Sequence, residues 1–296
     1  MTRLLEISNV KISFESGLGC VDAVRGISLS MDQGDAIALV GASGSGKTVL
    51  GRSLLGLVDA PGVVSGSIRF DGSEIVGASE RQLQKIRGLG IGMVFQDALD
   101  GLNPVYSIGS QLAEICRVRL GYSASQAAAH AIKLMEQVGI RNASERFNDY
   151  PHQFSGGMRQ RICIAMAIGM KPKILIADEP TTALDVTVQA GILRLIKSLQ
   201  AETKMGLIFV THDLAVARTI STRIVVMYSG QIVEEGPTEE IFRNPKHPYT
   251  KALLAAHPGR VRSWRDLQPL PEAFVTDPSA GHASGQASTT ATAVAT

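Results

Sequence analysis

The stretch of sequence that decides the fold is Gly41-Ala42-Ser43-Gly44-Ser45-Gly46-Lys47-Thr48. It fits the pattern G-x-x-x-x-G-K-[ST] and lies between an apolar, strand-like run at 36–40 and a helical pattern that begins at 49. Glycines let backbone N–H groups turn toward phosphate oxygens, and the N-terminus of the following helix adds positive potential. The segment therefore predicts a phosphate-binding loop, with Lys47 on the β- and γ-phosphates and Thr48 on Mg²⁺. A Gly/Ser turn that only happens to precede a helix is the alternative, and the flanking strand and helix disfavour it.

A second apolar run, at 174–177, ends in two acidic residues, Asp178 and Glu179. The carboxyl edge of a parallel sheet is where such a fold presents residues to a ligand. Because adjacent strand residues point to opposite sides, the two carboxylates cannot share one role. We expect Asp178 to hold Mg²⁺ through its water shell and Glu179 to polarise a water for attack on the γ-phosphate. Without the loop at 41–48, two acids that solvate a strand end would be the better interpretation.

A third motif, Ser155-Gly156-Gly157, precedes the apolar helical run at 162–168. Ser155 is a natural N-cap, and the two glycines allow a phosphate to approach exposed N–H groups. The motif predicts a second anion-binding helix terminus. An isolated Ser-Gly-Gly would more often be an ordinary capped helix.

Strand and helix patterns around these motifs indicate an α/β fold. Residues 4–14 and two runs within 27–40 are typical of strands, so we expect a β-rich N-terminal portion. Helical periodicity from 108 to 138, with no strand before 174, predicts a helical insertion. A helix is also expected through 192–199. Apolar strands are expected at 174–177, 207–210 and 224–227. Their alternation with helices implies a mainly parallel sheet covered on both faces.

Length and composition are those of an ordinary globular chain. The 296 residues include 29 basic and 27 acidic side chains, and the net charge of +2 offers no basic excess for a nucleic-acid surface. Neither a secretion signal nor a membrane span is expected, because Glu6 interrupts the N-terminal segment and the longest apolar run, 162–170, is too short. Residues 278–296 carry no charged side chain, and we expect this tail to be disordered.

The three cysteines are Cys20, Cys116 and Cys163. They are odd in number, widely separated and part of no CxxC or Cys/His pattern, which argues against a disulfide framework or a metal site. We expect them to be reduced and buried thiols.

Taken together, the motifs resemble the ATP-binding subunits of ABC transporters. Ser155-Gly156-Gly157-Met158-Arg159-Gln160 is similar to the signature motif of that family. Further segments are similar to its Q-loop, D-loop and switch histidine, in that order: Phe95-Gln96, Ala183-Leu184-Asp185 and Val210-Thr211-His212-Asp213. Two residues depart from the usual pattern, Phe154 in place of leucine and Phe14 in place of tyrosine, and neither change removes a catalytic group.

The resemblance implies a P-loop (RecA-like) nucleotide-binding domain with an antiparallel β portion and a helical signature subdomain. On this basis we place an ATPase domain at 1–256, with the helical subdomain at about 105–170. A C-terminal extension at 257–277 and the disordered tail at 278–296 would follow.

The resemblance also implies a head-to-tail pair in which the loop of one subunit and the Ser155 helix of the other enclose ATP and Mg²⁺. Gln96 would contact Mg²⁺ and sense the membrane subunits, and His212 would contact the γ-phosphate. Glu179 would be the general base, and Asp185 would link the two sites across the interface. Phe14 is the candidate for stacking on adenine.

Less universal segments are similar to the dipeptide, oligopeptide and nickel importer branch; they are 95–104, 150–153, 180–189, 234–237 and 244–250. Many members of that branch continue into a cysteine-containing C-terminal segment, but no cysteine follows Cys163 here. The branch implies an ATPase subunit on the cytoplasmic face of the bacterial inner membrane. Its partners would be two multi-span permeases and a second ATPase, homologous or identical, with a solute-binding protein acting indirectly.

Three alternatives stay open at this point. An ABC-type accessory ATPase of a carbon–phosphorus lyase complex shares the character of this branch without being part of a transporter. A nucleic-acid-associated ABC ATPase is disfavoured, because the chain has neither a long coiled coil, a second cassette nor a basic balance, and we expect no nucleic-acid partner. A P-loop ATPase of another class is disfavoured by the number of motifs in the right order.

Overall fold

The computed structural model describes residues 3–16, 19–96, 101–182 and 184–256, together with Pro271 and Phe274. The strands are β1 (Leu5–Ser16), β2 (Gly19–Met31), β3 (Ala36–Val40), β4 (Gly62–Phe70), β5 (Ser73–Glu74), β6 (Ile91–Val94), β7 (Ile174–Asp178), β8 (Gly206–Thr211), β9 (Arg223–Tyr228) and β10 (Gln231–Pro237). The α-helices are α1 (Lys47–Ser53), α2 (Glu80–Ile86), α3 (Ile108–Leu120), α4 (Ala124–Gln137), α5 (Gly156–Ile168), α6 (Val186–Thr203), α7 (Leu214–Ile220), α8 (Thr238–Arg243) and α9 (Pro248–Ala255).

The larger sheet has six strands in the order β10-β9-β3-β8-β7-β6. All neighbours are parallel except β10, which runs antiparallel to β9. Every residue of β3, β7 and β8 is buried, as expected for continuous apolar runs covered on both faces. This confirms the mainly parallel sheet. The order also brings the carboxyl ends of β3, β8, β7 and β6 side by side, so the residues that follow them meet at one edge.

The smaller sheet is antiparallel and has the order β2-β1-β4-β5. Buried and exposed residues alternate along β1, with an irregularity at Ser8 and Asn9 that keeps Ile7 and Val10 on the buried face. That face joins an apolar cluster with α1 and one face of the larger sheet, which includes Leu50 and Ile176. The predicted β-rich N-terminal portion is therefore confirmed, and its core supports the helix that follows the phosphate-binding loop.

Helices α3, α4 and α5 pack together as a helical portion. Ser107 and Ser123 cap the first two, and α3 ends at Gly121, whose φ of 70° is the left-handed conformation that glycine adopts readily. No strand forms between Ile108 and Ile174, where every residue is described, as the helical periodicity predicted. The helix α5 also contacts β6 and α6, so the helical portion rests on the edge of the larger sheet.

Several features differ from the sequence prediction or lie outside it. Cys20 is exposed near the start of β2, where the strand is solvated, so the prediction that all three cysteines are buried was wrong for it; Cys116 and Cys163 are buried. None of the helices in the described ranges is at once long and apolar enough to span a bilayer. The tail at 278–296, and all of the extension at 257–277 except Pro271 and Phe274, lie outside the described residues.

Candidate functional site

The loop between β3 and α1 is held between neighbouring backbones. A Cβ atom on Gly41 would lie 2.2 Å from the carbonyl oxygen of Met227. One on Gly46 would lie 2.4 Å from the carbonyl oxygen of Ala23, and Gly46 also has a left-handed φ of 97°. Only glycine fits at these two positions. The spacing of the glycines in the motif therefore follows from contacts of the loop with β9 and β2.

The ammonium group of Lys47 lies inside this loop. Its Nζ donates to the carbonyl oxygens of Gly41 and Ala42, each at 2.8 Å, and to Ser45 Oγ at 3.2 Å. Burial lowers the pKa of Lys47, although Glu179 and Asp178 oppose this shift by favouring the charged form. The loop thus holds the ammonium group of Lys47 at the expected phosphate position, through hydrogen bonds that phosphate oxygens can replace.

Thr48 and Asp178 form a second polar pair beside the loop. Thr48 Oγ1 donates to Asp178 Oδ1 at 3.0 Å, and Asp178 is only 1% exposed. Asp178 Oδ2 is buried and makes no hydrogen bond with the described residues. Burial raises the pKa of Asp178 despite the Thr48 contact. The unpaired Oδ2 of Asp178 and the hydroxyl oxygen of Thr48 are oxygen ligands of the kind that Mg²⁺ or its bound water would take.

Glu179 has a left-handed backbone φ of 44°, which is uncommon for a residue other than glycine. Its N–H donates to the carbonyl oxygen of Val210 at 3.0 Å, which fixes it beside β8. Thr182 Oγ1 donates to Glu179 Oε2 at 2.9 Å, and Glu179 Oε1 lies 3.2 Å from His212 Nδ1. Glu179 is therefore held by contacts at both carboxylate oxygens.

Gln96 is exposed and lies two residues after the end of β6, the neighbour of β7. The parallel pairing of β6 with β7 brings it to the same sheet edge as Asp178. Phe95 beside it is also exposed, at 42%.

The signature and D-loop residues form a separate cluster. Ser155 caps α5, since its Oγ accepts from the N–H of Met158 at 3.4 Å, and Asp185 caps α6 by accepting from the N–H of Val188 at 2.9 Å. A Cβ atom on Gly157 would lie 2.5 Å from Val188 Cγ1, so this glycine lets the two helix starts touch. The nearest atom to a Cβ on Gly156 would be Leu184 Cδ2, at 4.0 Å. These contacts join α5 to α6, not to loop 41–48.

Phe14 lies in β1 and is half-buried. Its ring packs against the apolar cluster of the β portion, and a Cβ atom on Gly62 would lie 2.8 Å from Phe14 Cε1. One side of the Phe14 ring is thus packed in the hydrophobic core.

Two residues of the site were not predicted from the sequence. Thr182 holds Glu179, and a hydroxyl three residues after an acid gives no distinctive signal. Tyr249, in α9, accepts a hydrogen bond from the N–H of Ala42 at 2.8 Å, across 207 positions of sequence. No local pattern could indicate that contact.

The ABC transporter family model matches residues 24–182, which include the loop, the Ser155 motif and both acids. The chain belongs to the ABC transporter family. A second model, for the C-terminal region of oligopeptide/dipeptide transporters, matches residues 233–281 of this ABC ATPase. The family resemblance and the fold class inferred from the motifs are therefore confirmed.

Among its relatives is the oligopeptide transport ATP-binding protein OppD of Bacillus subtilis, 48% identical over 260 residues, which are 87% of this chain and 73% of the relative. The oligopeptide transport ATP-binding protein AmiE of Streptococcus pneumoniae is 44% identical over 270 residues, covering 90% and 76%. A solved dimeric, post-hydrolysis structure of the ATP-binding cassette MJ0796 with ADP and Pi is 28% identical, with a TM-score of 0.70 and coverage of 79% and 98%. These relatives support the transporter interpretation and none of the alternatives.

Proposed function

We propose that this ABC ATPase hydrolyses ATP to energise a bacterial importer of peptides. The main support for ATP hydrolysis is the position of Glu179. It contacts Thr182 and His212 and lies at the same sheet edge as Lys47 and Asp178. The names of the relatives indicate peptides as the solute class, and nickel stays an alternative from the branch resemblance.

In the proposed mechanism the loop from Gly41 to Thr48 surrounds the phosphates with backbone N–H groups. Lys47 exchanges its carbonyl partners for the β- and γ-phosphates, which neutralises their charge. Thr48, Asp178 and Gln96 would hold Mg²⁺, and Asp178 Oδ2 provides a buried oxygen that needs such a partner. When bound, Mg²⁺ would supply charge neutralisation for the terminal phosphates.

Glu179 removes a proton from the attacking water, which makes the water a better nucleophile toward the γ-phosphate. His212 is 60% exposed on its side chain and contacts Glu179 through Nδ1, so its other ring nitrogen is available to the γ-phosphate. Thr182 fixes the second oxygen of Glu179, which restricts the carboxylate to one orientation. Stacking of adenine on the exposed side of Phe14 stays a prediction.

A second subunit completes the site in this proposal. Ser155, Gly156, Gly157 and Asp185 lie at the starts of α5 and α6, where Gly157 meets Val188, and the MJ0796 neighbour is a dimer. The N-terminus of α5 would provide N–H groups and positive potential to the nucleotide on the partner. A homologous second ATPase is the expected partner, and a copy of this chain is the alternative.

We propose that two multi-span permeases bind beside Gln96, which places the ATPase on the cytoplasmic face of the inner membrane. A groove of about 610 Å³ lies along β6 and reaches Phe95, the neighbour of Gln96 in sequence; apolar side chains that include Met93 and Met166 line it, with Arg52 and Arg87 also in its wall. Such a groove suits an apolar segment with an acidic flank. The solute-binding protein would act indirectly, and no nucleic acid takes part.

The domain limits follow the same proposal. The ATPase domain spans 1–256, with the helical subdomain at about 105–170, and is followed by the extension at 257–277 and the tail at 278–296.

The test is to purify the complex and measure Mg²⁺-dependent ATP hydrolysis and peptide uptake in proteoliposomes. Lys47→Ala should abolish both, because the terminal phosphates lose their loop cation, whereas Lys85→Ala, on the exposed side of α2, should leave both unchanged. If the purified protein brings down other subunits but no permeases, the carbon–phosphorus lyase alternative would be favoured. Normal turnover of Lys47→Ala would contradict the site.

A further inference from the structure

The hydroxyl group of Tyr249 connects the C-terminal helix α9 to the phosphate-binding loop. Tyr249 is fully buried, and its Oη accepts from the backbone N–H of Ala42 at 2.8 Å. Residues 233–281, which contain Tyr249, match a C-terminal region shared by oligopeptide and dipeptide transporters and lie beyond the general ABC match. The loop is therefore contacted by a segment that belongs to the C-terminal region match.

Ala42 is the residue through which this support would act on the site. Its carbonyl oxygen accepts from Lys47 Nζ at 2.8 Å and from the N–H of Ser45 at 3.3 Å. Gly41, just before it, has no space for a Cβ atom beside Met227. The first residues of the loop are thus fixed on one side by β9 and on the other by Tyr249, and they hold the cation of the site.

Tyr249 is itself held in a fixed position. Pro248 begins α9, and the N–H of Tyr249 donates to His247 Nδ1 at 3.2 Å. The carboxylate of Glu234 accepts from the N–H groups of Lys246 and His247, at 2.7 and 3.0 Å, which ties the start of the helix to β10.

The ring of Tyr249 packs against two other aromatic side chains. Its centroid is 4.6 Å from that of Tyr228, at the end of β9, and 5.5 Å from that of Phe274. Burial raises the pKa of Tyr249, so its hydroxyl is neutral at physiological pH. A neutral, rigidly packed hydroxyl is suited to accept a hydrogen bond without adding charge to a phosphate site.

We propose that Tyr249 is a positioning residue for the phosphate-binding loop, through which the C-terminal segment sets the affinity for nucleotide. The inference rests on the proposed nucleotide site. Without the hydroxyl, the N–H of Ala42 loses its acceptor, and the loop populates conformations that do not bind phosphate. The apparent dissociation constant then rises in proportion to the loss of the competent conformation.

The experiment uses Tyr249→Phe, which keeps the ring and removes only the hydroxyl. We expect the Kd for ATP, measured by calorimetry well below the melting temperature, to rise about threefold to tenfold, the range of one neutral hydrogen bond. In the assembled complex KM should rise by a similar factor, while kcat changes less than about twofold, because the residues that act on the γ-phosphate are untouched.

Leu254→Ala is the matched control, since Leu254 is buried in the same cluster and helix but has no polar side-chain atom that could hydrogen-bond to the loop. It should lower the melting temperature and leave the Kd unchanged. An equal rise in Kd for Leu254→Ala, or an unchanged Kd for Tyr249→Phe, would overturn the positioning role. Lys47→Ala separates the two proposals: if it loses ATP binding while Tyr249→Phe binds normally, only the role of Tyr249 fails. If Lys47→Ala binds ATP normally, the nucleotide site fails and the role of Tyr249 with it.

Discussion

Replacing Glu179 with glutamine isolates the basicity of its carboxylate from its contacts. The amide oxygen can still accept from Thr182, and the amide group can still lie beside His212 Nδ1, 3.2 Å from the present oxygen. The shape and most of the hydrogen bonding therefore survive, and what is lost is the ability to take a proton. A positioned general base contributes roughly 10²–10⁴ in rate, which corresponds to about 3–5 kcal/mol of activation free energy.

The assay is single-turnover hydrolysis by the assembled complex, with ATP binding measured separately. We expect binding within about twofold of the wild type, a rate lower by roughly 10²–10⁴, and accumulation of a closed, ATP-loaded dimer. Thr182→Val tests only the contact between Thr182 and Glu179, and it should lower the single-turnover rate about fivefold because it removes one hydrogen bond. Turnover of Glu179→Gln within about threefold of the wild type would refute the reasoning, since the carboxylate would then only solvate the end of β7.

Three further outcomes are expected. Gly41→Ala should weaken ATP binding by more than about tenfold in a titration, because its Cβ would lie 2.2 Å from a backbone oxygen that cannot move freely; normal binding would show that β9 yields. Deletion of 278–296 should leave the melting temperature unchanged, whereas Phe274→Ala should lower it by removing a ring from the cluster around Tyr249, and the reverse order would contradict this. Ser155→Ala in one subunit of a mixed dimer should slow hydrolysis of the nucleotide bound by the loop of the other subunit. A defect confined to the nucleotide at Lys47 of the mutated subunit would exclude the trans arrangement.

The central strands could be predicted because their burial is written in local composition. Continuous apolar runs at 36–40, 174–177 and 207–210 became fully buried strands, and the loop and acidic motifs occupy their carboxyl ends. By contrast, β4 was not predicted because two valines are adjacent in it and Gly66 interrupts it, and β6 has only four residues. Short or irregular strands take their conformation from pairing with neighbours, which a local pattern does not encode.

The same limit applies inside the site. Residue types and spacing identified Lys47, Asp178 and Glu179, since each motif is continuous in sequence. The contact of Glu179 with His212 and that of Tyr249 with Ala42 join distant segments, and they depend on the order of strands and on the path of the chain after β10. Geometry of this kind follows from packing and becomes visible only in the folded chain.

The close contact between Gly157 and Val188 has a mechanical consequence. Because there is no space for a methyl group between Gly157 and the Val188 side chain, we expect the first turns of α5 and α6 to resist sliding past each other. A displacement of α5 must carry α6 with it, and Asp185 travels with Ser155. In the proposed dimer both residues would therefore reach the partner in a single movement, with one degree of freedom instead of two.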